Sequence, residues 1–212
     1  MKFKHVIFDF DGVLVESNEI RFGGFRMLLK DYPGAQVEKL MRHARANGGL
    51  SRYDRIRYFF ETIRNESISE NKVLEMAGRY SEIVKDKIIG CAPVNGSVEF
   101  LSSHCKEFDF AVVSGSDQSE LRDICRARGI DRYFTEILGS PAVKSENISL
   151  LFTLNKWKKD ESVFVGDSTN DFDGAKACGI AFIGRNSGLV KWKTMKGIVN
   201  IDDLSQLYAH LV

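Results

Sequence analysis

Short β-rich runs recur along this chain with helical patterns between them, and that alternation constrains the fold more than any other feature. The runs are HVIFDF (5–10), FAVVS (110–114), TEILG (135–139), SVFVGD (162–167) and IAFIG (180–184), with GIVNI (197–201) as a sixth. They are apolar on both alternating faces, which marks strands buried on both sides. Buried strands alternating with helices form a parallel sheet, so the expected fold is α/β with a doubly wound, Rossmann-like sheet.

One interval breaks the rhythm. From about Ser17 to Ile89 there are four helical patterns and no strand. Phe22, Phe25 and Leu29 form the first stripe; Val37, Leu40, Met41 and Ala44 the second; Ile56, Phe59, Phe60 and Ile63 the third; Val73, Ala77, Tyr80 and Val84 the fourth. Breaks at YPG (32–34), NGG (47–49) and RNES (64–67) separate them, and Pro93 and Gly96 mark the return to the sheet. The expected organisation is therefore an α/β core over 1–16 and 90–212, with an all-helical domain inserted over 17–89.

The chain's 212 residues suffice for a core with such an insertion, and its net charge of +1 creates no large field toward nucleic acid or anionic lipid. No apolar run approaches the roughly 20 residues that span a bilayer. Small molecules are the expected partners, with no nucleic acid and no membrane, and the expected state is a monomer or weak dimer. The four cysteines show no CxxC spacing and read as reduced thiols of a cytoplasmic protein. The basic cluster Lys191, Lys193 and Lys196 around Trp192 reads as a solvated face, and His5, His104, His210 and Trp157 read as structural.

The chemistry sits at strand ends. Asp9 and Asp11 lie two residues apart in an apolar run, positions that share one side of a strand, and Gly12 lets the backbone turn there. In open α/β sheets ligands bind outside the carboxyl ends of strands. Ser114, Gly115 and Ser116 precede a helix start with Asp117 and Glu120 at capping-box spacing, a pattern that fits a phosphate cradle and a plain helix cap equally. Asp167, Asp171 and Asp173 crowd the end of the fourth run; one acid there can offset a helix dipole, but several opposite Asp9 and Asp11 would repel without a cation such as Mg²⁺. Lys144 adds a positive charge at the same edge.

Taken together, DFDGV (9–13), VVSGS with Ser114, Lys144, and GDSTND (166–171) resemble the four motifs of the haloacid dehalogenase superfamily, in order and at compatible spacing, with the insertion placed like a helical C1 cap. The resemblance implies a phosphoric monoester hydrolase that works through an aspartyl-phosphate. It implies Asp9 as nucleophile and Asp11 as proton shuttle with a raised pKa. Mg²⁺ would be held by Asp9, the main-chain carbonyl of Asp11 and Asp167, with Asp171 in support, while Ser114, Gly115 and Lys144 would grip the phosphoryl group. The cap loop RANGGLSRYDR (45–55) supplies Arg45, Asn47, Arg52 and Arg55 as candidate contacts to a sugar phosphate or phospho-hydroxy acid. A phosphomutase uses the same acid pair and is the alternative; a receiver-like phospho-acceptor module lacks the helical insertion, and a non-catalytic binding protein would not need these motifs intact.

Overall fold

A computed structural model describes residues 2–212; residue 1, with which the expected core begins, lies outside them. Six strands, β1 (His5–Phe8), β2 (Asp109–Asp117), β3 (Phe134–Ser140), β4 (Ser162–Gly166), β5 (Ala181–Arg185) and β6 (Val199–Ile201), form one sheet in the order β3-β2-β1-β4-β5-β6, parallel at every pairing. The order reverses at β1 and β4, the switch point at which a doubly wound sheet opens a crevice. The expected α/β fold is the observed one.

Strand periodicity divides the core. Ile7, Ala111, Val113 and Phe164 face a cluster with Ile148, Leu151 and Ala175, from α7 (Lys144–Asn155) and α8 (Thr169–Cys178). Their neighbours Val6, Phe8, Val112, Val163 and Val165 point the other way, toward α5 (Ser97–His104) and α6 (Gln118–Ala127). That second cluster runs on without a break through Phe10, Val13 and Val15 into the helices between β1 and β2.

Those helices are α1 (Asn18–Leu28), α2 (Gly34–Ala46), α3 (Arg52–Arg57) and α4 (Glu70–Ile89). Ser51 and Ser69 cap α3 and α4 by accepting from the N–H groups of Asp54 and Lys72. The third stripe differs from a simple helix, because α3 widens into a π-helical stretch over Tyr58–Ile63. Phe59 and Phe60 stay buried through it, each edge-on to Tyr32.

The C-terminal basic cluster resolves into core and surface. Trp192 is fully buried while Lys191, Lys193 and Lys196 are exposed. His5 stacks on Trp157 with ring centroids 4.6 Å apart. All four cysteines are unpaired, and no described helix is long and apolar enough to cross a membrane.

Candidate active site

β1 ends at Phe8, so Asp9 is the first residue beyond the strand. Gly12 then turns with φ +75°, and a Cβ there would overlap the Asp167 carboxylate and the Asn18 amide. Glycine thus lets the first loop pass close under Asp167, to which Asn18 Nδ2 donates at 2.7 Å.

Asp9, Asp167 and Asp171 each offer an oxygen within 4.8 Å of the others, and all three side chains are buried. Asp173, one helical step further, is exposed and takes no part. Both Asp171 oxygens are engaged. Oδ2 accepts from the Ser168 N–H at 2.9 Å, the Asp167 N–H at 3.1 Å and the Ser168 hydroxyl at 2.6 Å, while Oδ1 pairs with Lys144. Asp171 is therefore both the capping-box residue of α8 and a wall of the site.

Lys144 stands 3.1 Å from Asp9 Oδ1 as an ion pair outside hydrogen-bond geometry, and that oxygen has no hydrogen-bond partner. Burial and the Asp171 charge push Asp9 well above the ordinary carboxylate range, and Lys144 offsets only part of the shift. Asp167 is pushed up to about 7 by burial and by Asp171. For Lys144, burial opposes the charge, yet Asp171 and Asp9 outweigh it and hold the ammonium protonated. Three buried carboxylates facing one lysine, with an orphaned oxygen among them, fit a hard divalent cation bound through oxygen.

Asp11 lines the same cavity with a different environment. Ser17 Oγ donates to Oδ1 at 2.5 Å, Arg21 Nε to Oδ1 at 3.0 Å, and Ser116 Oγ to Oδ2 at 2.7 Å. Burial pushes its carboxyl up, but Arg21, Ser17 and Ser116 together pull it below the usual range. The expected raised pKa at Asp11 is thus corrected: the cation on α1 decides the sign.

Arg21 continues the network. It donates through Nη1 to Glu120 at 2.8 Å and through Nη2 to Ser116 at 2.9 Å. Arg52 grips the same Glu120 with two bonds of 2.8 and 2.6 Å and a third to Ser81. Arg21, Ser17 and Asn18 escaped sequence reading, while Ser116 and Glu120 were read only as parts of a strand end and a helix start and not as partners of Asp11 and the two arginines. Arg21 carried one faint signal, a charge set beside Phe22 and Phe25 on an apolar helix face.

Ser114 is buried at the end of β2, with Oγ accepting from the Ser116 N–H at 3.2 Å, and Gly115 borders the cavity. Of the loop residues, Arg52 and Arg55 line the cavity; Arg45 and Asn47 do not. Arg45 forks onto Glu19 on an exposed surface, and Asn47 Nδ2 donates to the His43 carbonyl. The NGGL turn itself is seated on the site, with Gly48 against Ser168 and Leu189, and Gly49 against Ser168, Lys144 and Asn170.

Comparison with known proteins adds the lineage. The model of the haloacid dehalogenase-like hydrolases matches residues 6–185. A phosphoglycolate phosphatase from Haemophilus influenzae is 26% identical over 196 residues, covering 88% of this chain and 87% of its own. A phosphorylated carbohydrates phosphatase from Thermotoga maritima is 26% identical over 185 residues, 82% and 81% of the two chains. Among solved structures, CbbY from Rhodobacter sphaeroides in complex with xylulose-1,5-bisphosphate superposes with a TM-score of 0.77 at 16% identity, over 97% of this chain and 96% of that one. The family match spans the sheet from β1 to β5 and every strand end that carries the site, and the chain belongs to the haloacid dehalogenase-like hydrolases as a phosphoric monoester hydrolase.

Proposed function

We propose that the chain is a Mg²⁺-dependent phosphatase that hydrolyses a small phosphorylated metabolite, a sugar phosphate or phospho-hydroxy acid, through an aspartyl-phosphate on Asp9. One observation carries the reading: Asp9, Ser114 and the carboxylates with Lys144 converge on a space covered by the NGGL turn. The relatives named for phosphoglycolate and for phosphorylated carbohydrates support it.

In the first step an Asp9 oxygen bonds to phosphorus while the ester bond breaks, and the leaving alkoxide takes a proton from Asp11. In the second, Asp11 accepts a proton from water, whose oxygen attacks the acyl phosphate; inorganic phosphate leaves and Asp9 is restored. Arg21, Ser17 and Ser116 keep Asp11 ionised at neutral pH, so the proton it passes to the leaving oxygen enters with the substrate monoanion, and the same three contacts stabilise the carboxylate left after the transfer. The Ser114 hydroxyl and the Gly115 N–H donate to phosphoryl oxygens, and Lys144 offsets their charge.

Asp9, Asp167 and the Asp11 main-chain carbonyl would hold Mg²⁺, with Asp171 orienting the set from behind because its own oxygens are engaged. Bound there, the ion neutralises the clustered carboxylates and the phosphoryl oxygens.

The cavity's volume of about 60 Å³ amounts to a handful of waters, since one water needs roughly 10–15 Å³ in that measure. A compact substrate follows. The helices over 17–89 act in this reading as the cap that excludes water from the acyl phosphate. The protein works in the cytoplasm, where its unpaired thiols persist, as a monomer or weak dimer.

Phosphate release from a panel of phosphorylated sugars and short hydroxy acids tests the proposal. Release is expected with Mg²⁺, lost in EDTA, and reduced about a thousandfold or more in Asp9→Asn. Near-normal turnover by that variant, or full activity in EDTA, overturns it.

A further inference from the structure

A second cavity, of about 300 Å³, lies where the helices between β1 and β2 join the sheet. It shares no lining residue with the catalytic cavity and is several times larger. Its volume falls at the lower end of the range found for small-ligand sites. Leu14, Ile89, Pro93, Val98, Leu101 and Ile130 give it apolar walls. Among the described residues that line it, the charged ones are Arg128 and Arg132, and no carboxylate stands with them.

The two segments that carry the chain out to those helices and back run beside each other along this cavity. The Glu16 N–H donates to the Ala92 carbonyl at 3.0 Å, the Val94 N–H donates to the Leu14 carbonyl at 3.1 Å, and Val15 bridges Pro93 in antiparallel fashion. Ser97 Oγ donates to the same Leu14 carbonyl at 3.0 Å. Leu14 from the outgoing segment and Cys91 and Pro93 from the returning one all border the cavity, and the turn between α6 and β3 completes it.

That turn brings both cations. Arg128 Nη1 donates to the Ile88, Ile89 and Cys91 carbonyls at 2.9, 2.7 and 2.9 Å, which satisfies the C-terminal end of α4. Arg132 Nη2 donates to the Tyr133 hydroxyl at 3.0 Å, with the guanidinium 4.9 Å from the ring centroid. These partners are neutral, so neither guanidinium has a counterion among the described residues, and each keeps nitrogens free to donate. Apolar walls select an apolar body, and two guanidinium groups without counterions select an anionic head.

We propose that this cavity is a second ligand site, which takes a small amphipathic anion: an apolar ring system carrying one carboxylate or phosphate group. Its occupant touches both joining segments and the turn after α6 at once, and so holds them in the arrangement seen here. A ligand stabilises the state it binds. The site stands apart from the phosphatase reading; only its bearing on cap closure rests on that reading.

The test uses three probes with one bicyclic body: 1-naphthaleneacetate, the neutral 1-naphthaleneacetamide and 1-naphthylmethylphosphonate. Calorimetry on the full chain, with inorganic phosphate in excess to compete at the catalytic cavity, is expected to show one equivalent of at least one anion binding about tenfold or more tighter than the amide. Whichever anion binds tighter identifies the head group. Arg132→Gln should weaken that anion at least about threefold and leave the amide unchanged. Val98→Trp, at a position 42% exposed, fills the cavity and should weaken every probe at least about tenfold. Position is read independently: the bound anion should slow alkylation of Cys91 by iodoacetamide at least about threefold, while Cys105, which is exposed and outside the cavity, keeps its rate. Amide hydrogen exchange over 14–17 and 92–95 should slow by a similar factor. None of these readings needs turnover, so an inactive enzyme sinks the phosphatase reading and leaves this one measurable. Equal affinity for acid and amide, binding untouched by Val98→Trp, or an unprotected Cys91 overturns the site, and unchanged exchange in the joining segments overturns its hold on them.

Discussion

The carbonyl oxygen of Gly49 lies directly over the α-carbon of Gly115, so that a Cβ on Gly115 would overlap it. One residue belongs to the turn between α2 and α3, the other to the end of β2. The contact is backbone against backbone, and neither side can yield by rotating a side chain. Gly49 also holds φ +80°, a conformation that favours glycine.

Gly115→Ala is therefore expected to keep the turn from seating without disturbing the sheet, since Gly115 lies where the pairing of β2 with β3 is interrupted between Val113 and Asp117. kcat/KM on any phosphomonoester should fall at least about a hundredfold, in line with what misplacement of about 1 Å costs, with the melting temperature little changed. Steady-state kinetics beside a thermal melt checks this. Full activity in the alanine variant would mean that the seated turn is unnecessary for chemistry.

Glu120 ties the helices to the core, and its ionisation makes that tie sensitive to acid. Burial pushes its carboxyl up, but the hydrogen bonds from Arg52 and the charges of Arg21 and Arg52 outweigh this and lower it from 4.5 to about 2. A depressed carboxyl contributes stability that is fully present above 4.5 and is lost as pH falls through 4.5 toward about 2. Its size is about 3 kcal/mol at most. Glu120→Gln should be less stable at pH 7 by about 3–5 kcal/mol, because two arginines lose their shared counterion. Denaturant melts at descending pH should show that deficit shrinking between pH 5 and pH 2. A deficit independent of pH would refute the ionic account.

The sheet was legible because strands buried on both faces need apolar residues at consecutive positions, and Val6, Ile7 and Phe8 or Val163, Phe164 and Val165 satisfy that locally. The helical insertion was legible for the same reason, its stripes being periodic within each segment. The carboxylates and Lys144 were legible because their spacing falls at strand ends. Arg21 and Glu120 were not, since their meaning lies in a contact between residues 99 positions apart. Glu120 reads as half of a capping box with Asp117, and Asp117 does accept its N–H at 3.0 Å, but its side chain turns away to the two arginines. The sign of the Asp11 shift was lost with Arg21. The π-helical stretch after α3 left no trace in the apolar pattern, because Phe59 and Phe60 are buried in either helical form.

The three clustered carboxylates make opposite demands with and without a cation, and Asp167 separates them. Without Mg²⁺ its charge is opposed by burial and by Asp171. Asp167→Asn removes that repulsion while leaving an oxygen to accept from Asn18, so the metal-free variant should melt higher than the native protein. With Mg²⁺ the order should reverse. At a hundred times its dissociation constant the ion should stabilise the native protein by about 2.7 kcal/mol, or roughly 5–10 °C for a chain of this size. The variant, short of one anionic ligand, should show a much smaller rise. Thermal melts across a Mg²⁺ titration check both signs, and an equal rise in the two proteins would remove Asp167 from the metal set.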